Sequence, residues 1–334
     1  MSVENIIGIS SMLNQHTARE AVLPNFFIVG APKAGTTSLY YYLDQHPDIF
    51  MSPVKEPHYF AEEIRIGNIG PRWQDWARQE DALLQLYLRG PMKEKQFGGI
   101  VTNWTDYLKL FKNVNGEKAV GEASVCYLWS KTAADNIASA VPGAKIIMML
   151  RDPIDRAFSQ YKQAVVRGLI GTSFREQLRK RIYNKSDQFE LMNPFLEFGL
   201  YSEQVKRYIT RFPRENLRIY LYEEYKQHPT SIISDIFSFL TVNSQFSPDM
   251  SERHLEPTLP KFKWLTFTLK KYGAWSALKT IVPHDLVPTV KKWASRDKQT
   301  TLDRADRLSL QIYYREDVLR LSDLIERDLS RWLE

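Results

Sequence analysis

At 334 residues, with 43% hydrophobic and 25% charged side chains, the chain has the composition of an ordinary folded protein and can bury a large core without covalent staples. Its formal net charge of +6 suits an anionic ligand, although a merely solvated basic surface accounts for the excess equally well. A single cysteine, Cys126, excludes an internal disulfide, and no stretch reaches the roughly 20 apolar residues of a membrane-spanning helix.

The opening "MSVENIIGISSMLNQHTARE" has neither a basic start nor a sustained apolar core, so the sequence reads as a cytoplasmic protein. Residues 1–23 carry weak periodicity and read as a loosely attached arm, with a single domain over 24–334. "FFIVG" (26–30) is an apolar run of strand length, and "TTSLYYYLDQH" (36–46) is a helix stopped by Pro47. "DIFMS" (48–52) is a short strand leading into "PVKEPHYF". Residues 61–100, rich in Trp, Arg, Gly and Gln, show no clear period and read as an irregular insertion. "NWTDYLKLF" (103–111) is helical with Asn103 as its cap, and "KAVGEAS" (118–124) holds another strand.

A helix over about 130–140 precedes "KIIMML" (145–150), the strongest buried-strand signal in the chain. The helix of "RDPIDRAFSQYKQAVVRG" follows, with Pro153 in its first turn and Gly168 past its end. Helices at 201–212 and 230–240 flank a strand at 216–223, and a last helix runs from about Asp303 to Arg331. Alternating strands and helices predict an α/β fold, a parallel sheet flanked by helices on both faces.

The first strand, a glycine-rich turn and a helix start form an anion site, because unsatisfied N–H groups and the helix dipole point at the ligand. Gly30 and Gly35 keep the spacing of the P-loop pattern G-x-x-x-x-G-K-[ST], so the fold is P-loop-like. Thr36, however, occupies the lysine position, and the lysine is Lys33, inside the loop. Ala34, Gly35, Thr36, Thr37 and Ser38 complete the cradle with amides and hydroxyls. A nucleoside triphosphate fits this arrangement poorly.

The segment "FFIVGAPKAGTTSLYYYLDQHPDIFMSPVKEPHYF" resembles the 5′-phosphosulfate loop of sulfotransferases that use 3′-phosphoadenosine 5′-phosphosulfate (PAPS), most of all the bacterial and heparan-sulfate-type branch. "MLRDPIDRAFSQY" is similar to the family's 3′-phosphate motif, with Arg151 and Ser159 in the matching places. "GEASVCYL" resembles the glycan enzymes' E-K-[ST]-P-x-Y-F segment, and "RDLSRWL" the family's ending. The resemblance implies a sulfotransferase in which Lys33 and the loop amides hold the 5′ side of PAPS, Arg151 and Ser159 hold the 3′-phosphate, and Glu122 is the general base. The acceptor would be a hydroxyl, or an amine, of a glycan, lipid or small natural product. Ala123 and Val125 stand where the glycan enzymes carry lysine and proline, a departure that bears on the acceptor.

His58 is open to three roles: second acid or base, acceptor contact, or packing. Trp73 and Trp76 suit either stacking on an acceptor or a buried cluster. The basic, aromatic segment 262–295 reads as a core-facing helix with a solvated face ahead of a membrane-surface element. The six histidines lack ligand spacing, so no metal is expected, and the dispersed basic residues lack the stripe of a nucleic-acid reader. Two other functions fit the loop: a P-loop kinase with Asp152 as magnesium ligand, and a non-catalytic module binding a 3′,5′-bisphosphorylated nucleotide.

Overall fold

The computed structural model describes residues 22–70, 74–183, 194–251 and 301–334, without the side chains of Trp76, Ile182 and Tyr183. The expected arm up to residue 21, Trp73, the side chain of Trp76 and the 262–295 segment lie outside the described residues.

β1 (Phe26–Gly30) is buried at every position, so both of its faces are covered. α1 (Thr36–Asp44) buries Leu39, Tyr40 and Leu43 along one face and ends before Pro47. His46 then clamps the turn: its Nδ1 accepts from the Asp48 N–H at 3.0 Å, and its Nε2 lies 3.0 Å from the Asn243 carbonyl. β2 (Ile49–Met51) and β3 (Val54–Lys55) follow. α2 (Gln74–Arg89) leads to β4 (Gln96–Phe97), which pairs in parallel with β3 as a separate small sheet.

α3 (Trp104–Lys109) is capped by the Asn103 side chain, which accepts from the Asp106 N–H. β5 (Ala119–Ala123), α4 (Ala133–Ala140) and β6 (Lys145–Leu150) come next. In α5 (Pro153–Val166), the Asp152 carboxylate caps the amides of Ile154 and Asp155. α6 (Phe174–Tyr183) and α7 (Tyr201–Ile209) lead to β7 (Leu217–Leu221), then α8 (Tyr222–Gln227), α9 (Pro229–Leu240) and α10 (Arg304–Ile325).

The main sheet has the order β2-β5-β1-β6-β7, and every described pairing in it is parallel. The chain leaves β1 between β5 and β6, so the loop after β1 sits where the strand order reverses, the place where α/β sheets bind ligands. β5 lies level with β1 through Phe27↔Glu122 and Ile28↔Ala123, and β6 ends in step with β7 at Leu150↔Leu221.

α10 is strapped to the rest of the domain. Leu310, Tyr314, Val318 and Leu321 are buried, and the Tyr314 hydroxyl donates to the Leu196 carbonyl at 2.8 Å. Asp317, also buried, accepts from both the amide and the hydroxyl of Ser202. Arg307 reaches Asp155 at 2.6 Å and Asp152 at 3.6 Å.

The expected irregular insertion over 61–100 is corrected here, because it contains a helix of 16 residues. Ala77, Leu84 and Leu88 are its buried face, at helical spacing i, i+7 and i+11. Their signal is diluted by Leu83 and Leu86, which are 57% and 69% exposed. α6 was not anticipated either. The last helix stops at Ile325, where Glu326 turns left-handed, and a 3₁₀ turn covers Ser330–Leu333. Among the described residues, no helix is long and apolar enough to cross a membrane.

The β1–β5 contact requires a missing side chain. A Cβ on Gly121 would lie 2.1 Å from the fully buried Phe26 ring. Gly121→Ala should therefore destabilise the protein by about 1–3 kcal/mol. The check is a urea titration, in which the midpoint falls while the slope stays constant.

Candidate functional site

The end of β1 is pressed against the segment after β5. A Cβ on Gly30 would meet Leu128 Cβ at 2.7 Å and the Val125 carbonyl oxygen at 2.9 Å, so the strand ends on glycine. The loop then turns across β6, with the Ala31 amide donating to the Met149 carbonyl at 2.7 Å. Lys33 and Gly35 both adopt left-handed backbone, φ 67° and 83°. Gly35 caps α1 with no side-chain cap bond, and no acidic residue stands in the first turn. The amides of that turn thus face the loop without an internal anion, as an anion cradle requires. Ala34 and Thr36 are buried, while Lys33, Thr37 and Ser38 are partly exposed.

Arg151 follows β6 directly. Its Nη1 donates to the Lys33 carbonyl at 2.9 Å, and its guanidinium carbon stands 4.6 Å from the centre of the Tyr222 ring. Its own carbonyl accepts from the Tyr201 hydroxyl at 3.0 Å. The structure therefore brings Arg151 to the loop after β1. Ser159 lies on the buried face of α5, 2% exposed. Burial pushes Asp152 up to about 6, with the neighbouring Asp155 charge adding to the effect and the cap bonds and Arg307 opposing it.

Glu122 is fully buried on β5. The Tyr107 hydroxyl donates to its Oε2 at 2.6 Å and the Ser124 hydroxyl to its Oε1 at 2.7 Å. Burial raises it to about 7, against hydrogen bonds from Tyr107, Ser124 and Tyr127, and with a smaller upward push from the charge of Glu56. Tyr107 belongs to a cluster of three mutually touching rings, 4.5 Å from Tyr59 and 5.5 Å from Trp104, with Tyr59 and Trp104 also 5.5 Å apart.

"PVKEPHYF" runs along the end of β5. The Glu56 amide donates to the Ala123 carbonyl at 2.9 Å, and the His58 amide to Ser124 Oγ at 3.1 Å. His58 Nδ1 lies 2.9 Å from Cys126 Sγ, and burial lowers the imidazole below its ordinary value and raises the thiol. Both shifts favour the neutral forms of the pair.

Two functional candidates in this segment escaped the sequence reading, Lys55 and Glu56. They are 2% and 6% exposed and form an ion pair at 2.5 Å. The second oxygen of Glu56 accepts the Val125 amide at 2.8 Å, and Val125 is the residue whose carbonyl abuts Gly30. Glu56 and His58 both have left-handed backbone, φ 70° and 59°, a conformation uncommon for non-glycine residues that costs on the order of 1–3 kcal/mol and gathers at functional sites. The available signal was a Lys-Glu pair wedged between apolar residues in "PVKEP", where a solvated surface offers no reason for it.

A family model described as "Sulfotransferase family" matches residues 24–246. Carbohydrate sulfotransferase 15 of Rattus norvegicus is 26% identical over 257 residues, covering 66% of this chain and 44% of that protein. The bifunctional heparan sulfate N-deacetylase/N-sulfotransferase 3 of Homo sapiens is 27% identical over 322 residues, covering 93% of this chain and 31% of that protein. The chain thus spans less than half the length of these curated relatives. Among solved structures, the sulfotransferase from Alicyclobacillus acidocaldarius superposes with a TM-score of 0.65 and 32% identity, over 94% of this chain and 100% of that one. With the family model spanning well over half of its residues, the chain belongs to the sulfotransferase family.

Proposed function

We propose that this sulfotransferase moves the sulfuryl group of PAPS to an acceptor hydroxyl, or to an amine, by in-line displacement. The observation that carries the reading is the bond from Arg151 to the Lys33 carbonyl, which makes one continuous anion site of the loop after β1 and the edge after β6. A donor with phosphate at both its 5′ and 3′ positions suits two adjoining groups of donors, the loop amides with Lys33 and the Arg151 guanidinium, better than one with a single phosphate group.

In this reading the acceptor oxygen bonds to sulfur as the bond from sulfur to the 5′-phosphate oxygen breaks, and the electron pair leaves with the phosphate. Lys33 and the amides of Gly35, Thr36 and Thr37 are donors already aimed where that charge grows. Arg151, just after β6, offers a planar fork to the 3′-phosphate, with Ser159 of α5 as a further donor. A kinase using a triphosphate is disfavoured by Asp152, whose carboxylate is engaged in capping α5 and faces Arg307.

The acceptor proton needs a base. A carboxyl raised to about 7 has a suitable basicity, but the seat of Glu122 does not favour it. Glu122 and Glu56 are both buried with both oxygens engaged, so position decides: Glu122 is level with Phe27, three residues short of Gly30, or about 10 Å along the strand. Glu56 is bonded to the residue that touches Gly30. We therefore assign proton acceptance to Glu56 instead of the Glu122 expected from the sequence. Glu122 then anchors Ser124, which in turn holds the His58 amide, and His58 is a contact residue.

Three measurements test these assignments. Adenosine 3′,5′-bisphosphate at 100 times its Kd should stabilise the fold by about 2.7 kcal/mol, and ATP at the same concentration by much less; equal responses would refute the donor. Glu56→Gln should lower kcat with PAPS by roughly 10²–10⁴ and leave bisphosphate affinity unchanged, whereas Glu122→Gln should cost less than about tenfold. The reverse ranking returns the base to Glu122.

The third measurement concerns pH. The folded state holds the Glu122 proton more tightly than the unfolded chain, whose carboxyl titrates near 4.5. The unfolded state loses its proton first, so this group's contribution to stability declines between about pH 4.5 and 7 and is level above, a loss on the order of 3 kcal/mol. Asp152 acts with the same sign between 3.8 and about 6. Urea titrations from pH 5 to 8 should show wild-type stability falling and Glu122→Gln flatter; identical slopes would mean that Glu122 is ionised throughout.

A further inference from the structure

We propose that Tyr222 is a positioning residue that couples the two phosphate sites, holding the Arg151 guanidinium for a 3′-phosphate while packing beneath the 5′ loop. The proposal rests on the donor reading above and goes beyond it, because no motif in the sequence marks Tyr222.

The placement begins with strand register. β6 and β7 pair as Leu150↔Leu221, so Arg151 and Tyr222 leave adjacent parallel strands side by side. The next pair is also joined, the Asp152 amide donating to Glu223 Oε1 at 3.1 Å. Tyr222 is the first residue of α8, and its ring lies 4.6 Å from the guanidinium carbon of Arg151. A cation on an aromatic face is attracted by the ring quadrupole, more strongly where water is excluded.

Ring carbons of Tyr222 also touch the phosphate loop. A Cβ at Gly35 would stand 3.0 Å from Cε2 and 3.1 Å from Cδ2. Glycine is thus required at position 35 for two reasons, the left-handed φ of 83° and the ring beside it. Arg151 closes the circuit through its bond to the Lys33 carbonyl. Gly35, Tyr222, Arg151 and Lys33 form a ring of contacts in which neither phosphate site shifts without the other. The ring face does the holding, so the hydroxyl of Tyr222 is dispensable.

The experiment compares affinities of the full chain for adenosine 3′,5′-bisphosphate and for adenosine 5′-monophosphate by calorimetry. Wild type and Tyr222→Phe should prefer the bisphosphate by the same factor. Tyr222→Leu, which keeps bulk under the loop and loses the aromatic face, should shrink that preference about tenfold, mainly through weaker bisphosphate binding. Tyr222→Ala should shrink it similarly and also weaken the monophosphate, because the loop loses its floor. A purely structural role for the ring would reduce both affinities in proportion and leave the ratio unmoved. An unchanged ratio in Tyr222→Leu overturns the coupling alone. A wild-type protein without preference for the bisphosphate overturns the donor reading, and the coupling with it.

Discussion

The close approach at Gly30 governs this site. A parallel strand with both faces covered can deliver its loop to one place only, and here that place is fixed by backbone against backbone, with the Val125 carbonyl and Leu128 at the distance of a missing methyl group. From that contact the rest follows in steps of one hydrogen bond. Val125 holds Glu56, Glu56 holds Lys55, and Ser124 holds His58 above and Glu122 below. On the other side the loop is tied to β6 through Met149 and to Arg151 through Lys33. Close contact between main chains leaves no slack for the cradle to drift relative to the carboxylates.

The electrostatics of the site divide along the same line. Lys33, Arg151 and the first-turn amides of α1 lie beyond the ends of β1 and β6, while the buried carboxylates Glu122 and Glu56 lie on β5 and in the segment that follows β2. Each of these acids is compensated differently. Glu56 has a lysine and the Val125 amide; Glu122 has hydroxyl donors, and burial pushes it up to about 7. Burial raises the proton affinity of Glu122 by more than its hydroxyl donors lower it.

The fold was legible in the sequence where burial is two-sided. "FFIVG" and "KIIMML" have no polar face to confuse their period, and they are the strands observed at Phe26–Gly30 and Lys145–Leu150. The loop was legible because glycine spacing and an early lysine are local features. α2 was hidden by apolar residues on its exposed side, and the β3–β4 pair by its length of two residues per strand. Glu56 was hidden for a different reason. Its importance arises from Val125, 69 residues away along the chain, and no local pattern encodes a contact of that span. Glu122 drew attention through the motif around it, whereas its enclosure by Tyr107, Ser124 and Tyr127 is a property of packing that only coordinates reveal.

The straps on α10 change what counts as a unit here. The matched family span closes at residue 246, yet the buried faces of α5 and α7 are completed by a helix that starts at Arg304. Gly199 is small because Tyr314 and Pro153 crowd it, with a Cβ there 3.0 Å from the one and 2.9 Å from the other. The buried amide and hydroxyl of Ser202 have Asp317 as their acceptor. A chain cut after 246 would retain the glycine-rich loop, Arg151 and both carboxylates and still expose an apolar seam on α5 and α7, with orphaned donors at Ser202. The matched segment and the helix beyond its border share one apolar interior.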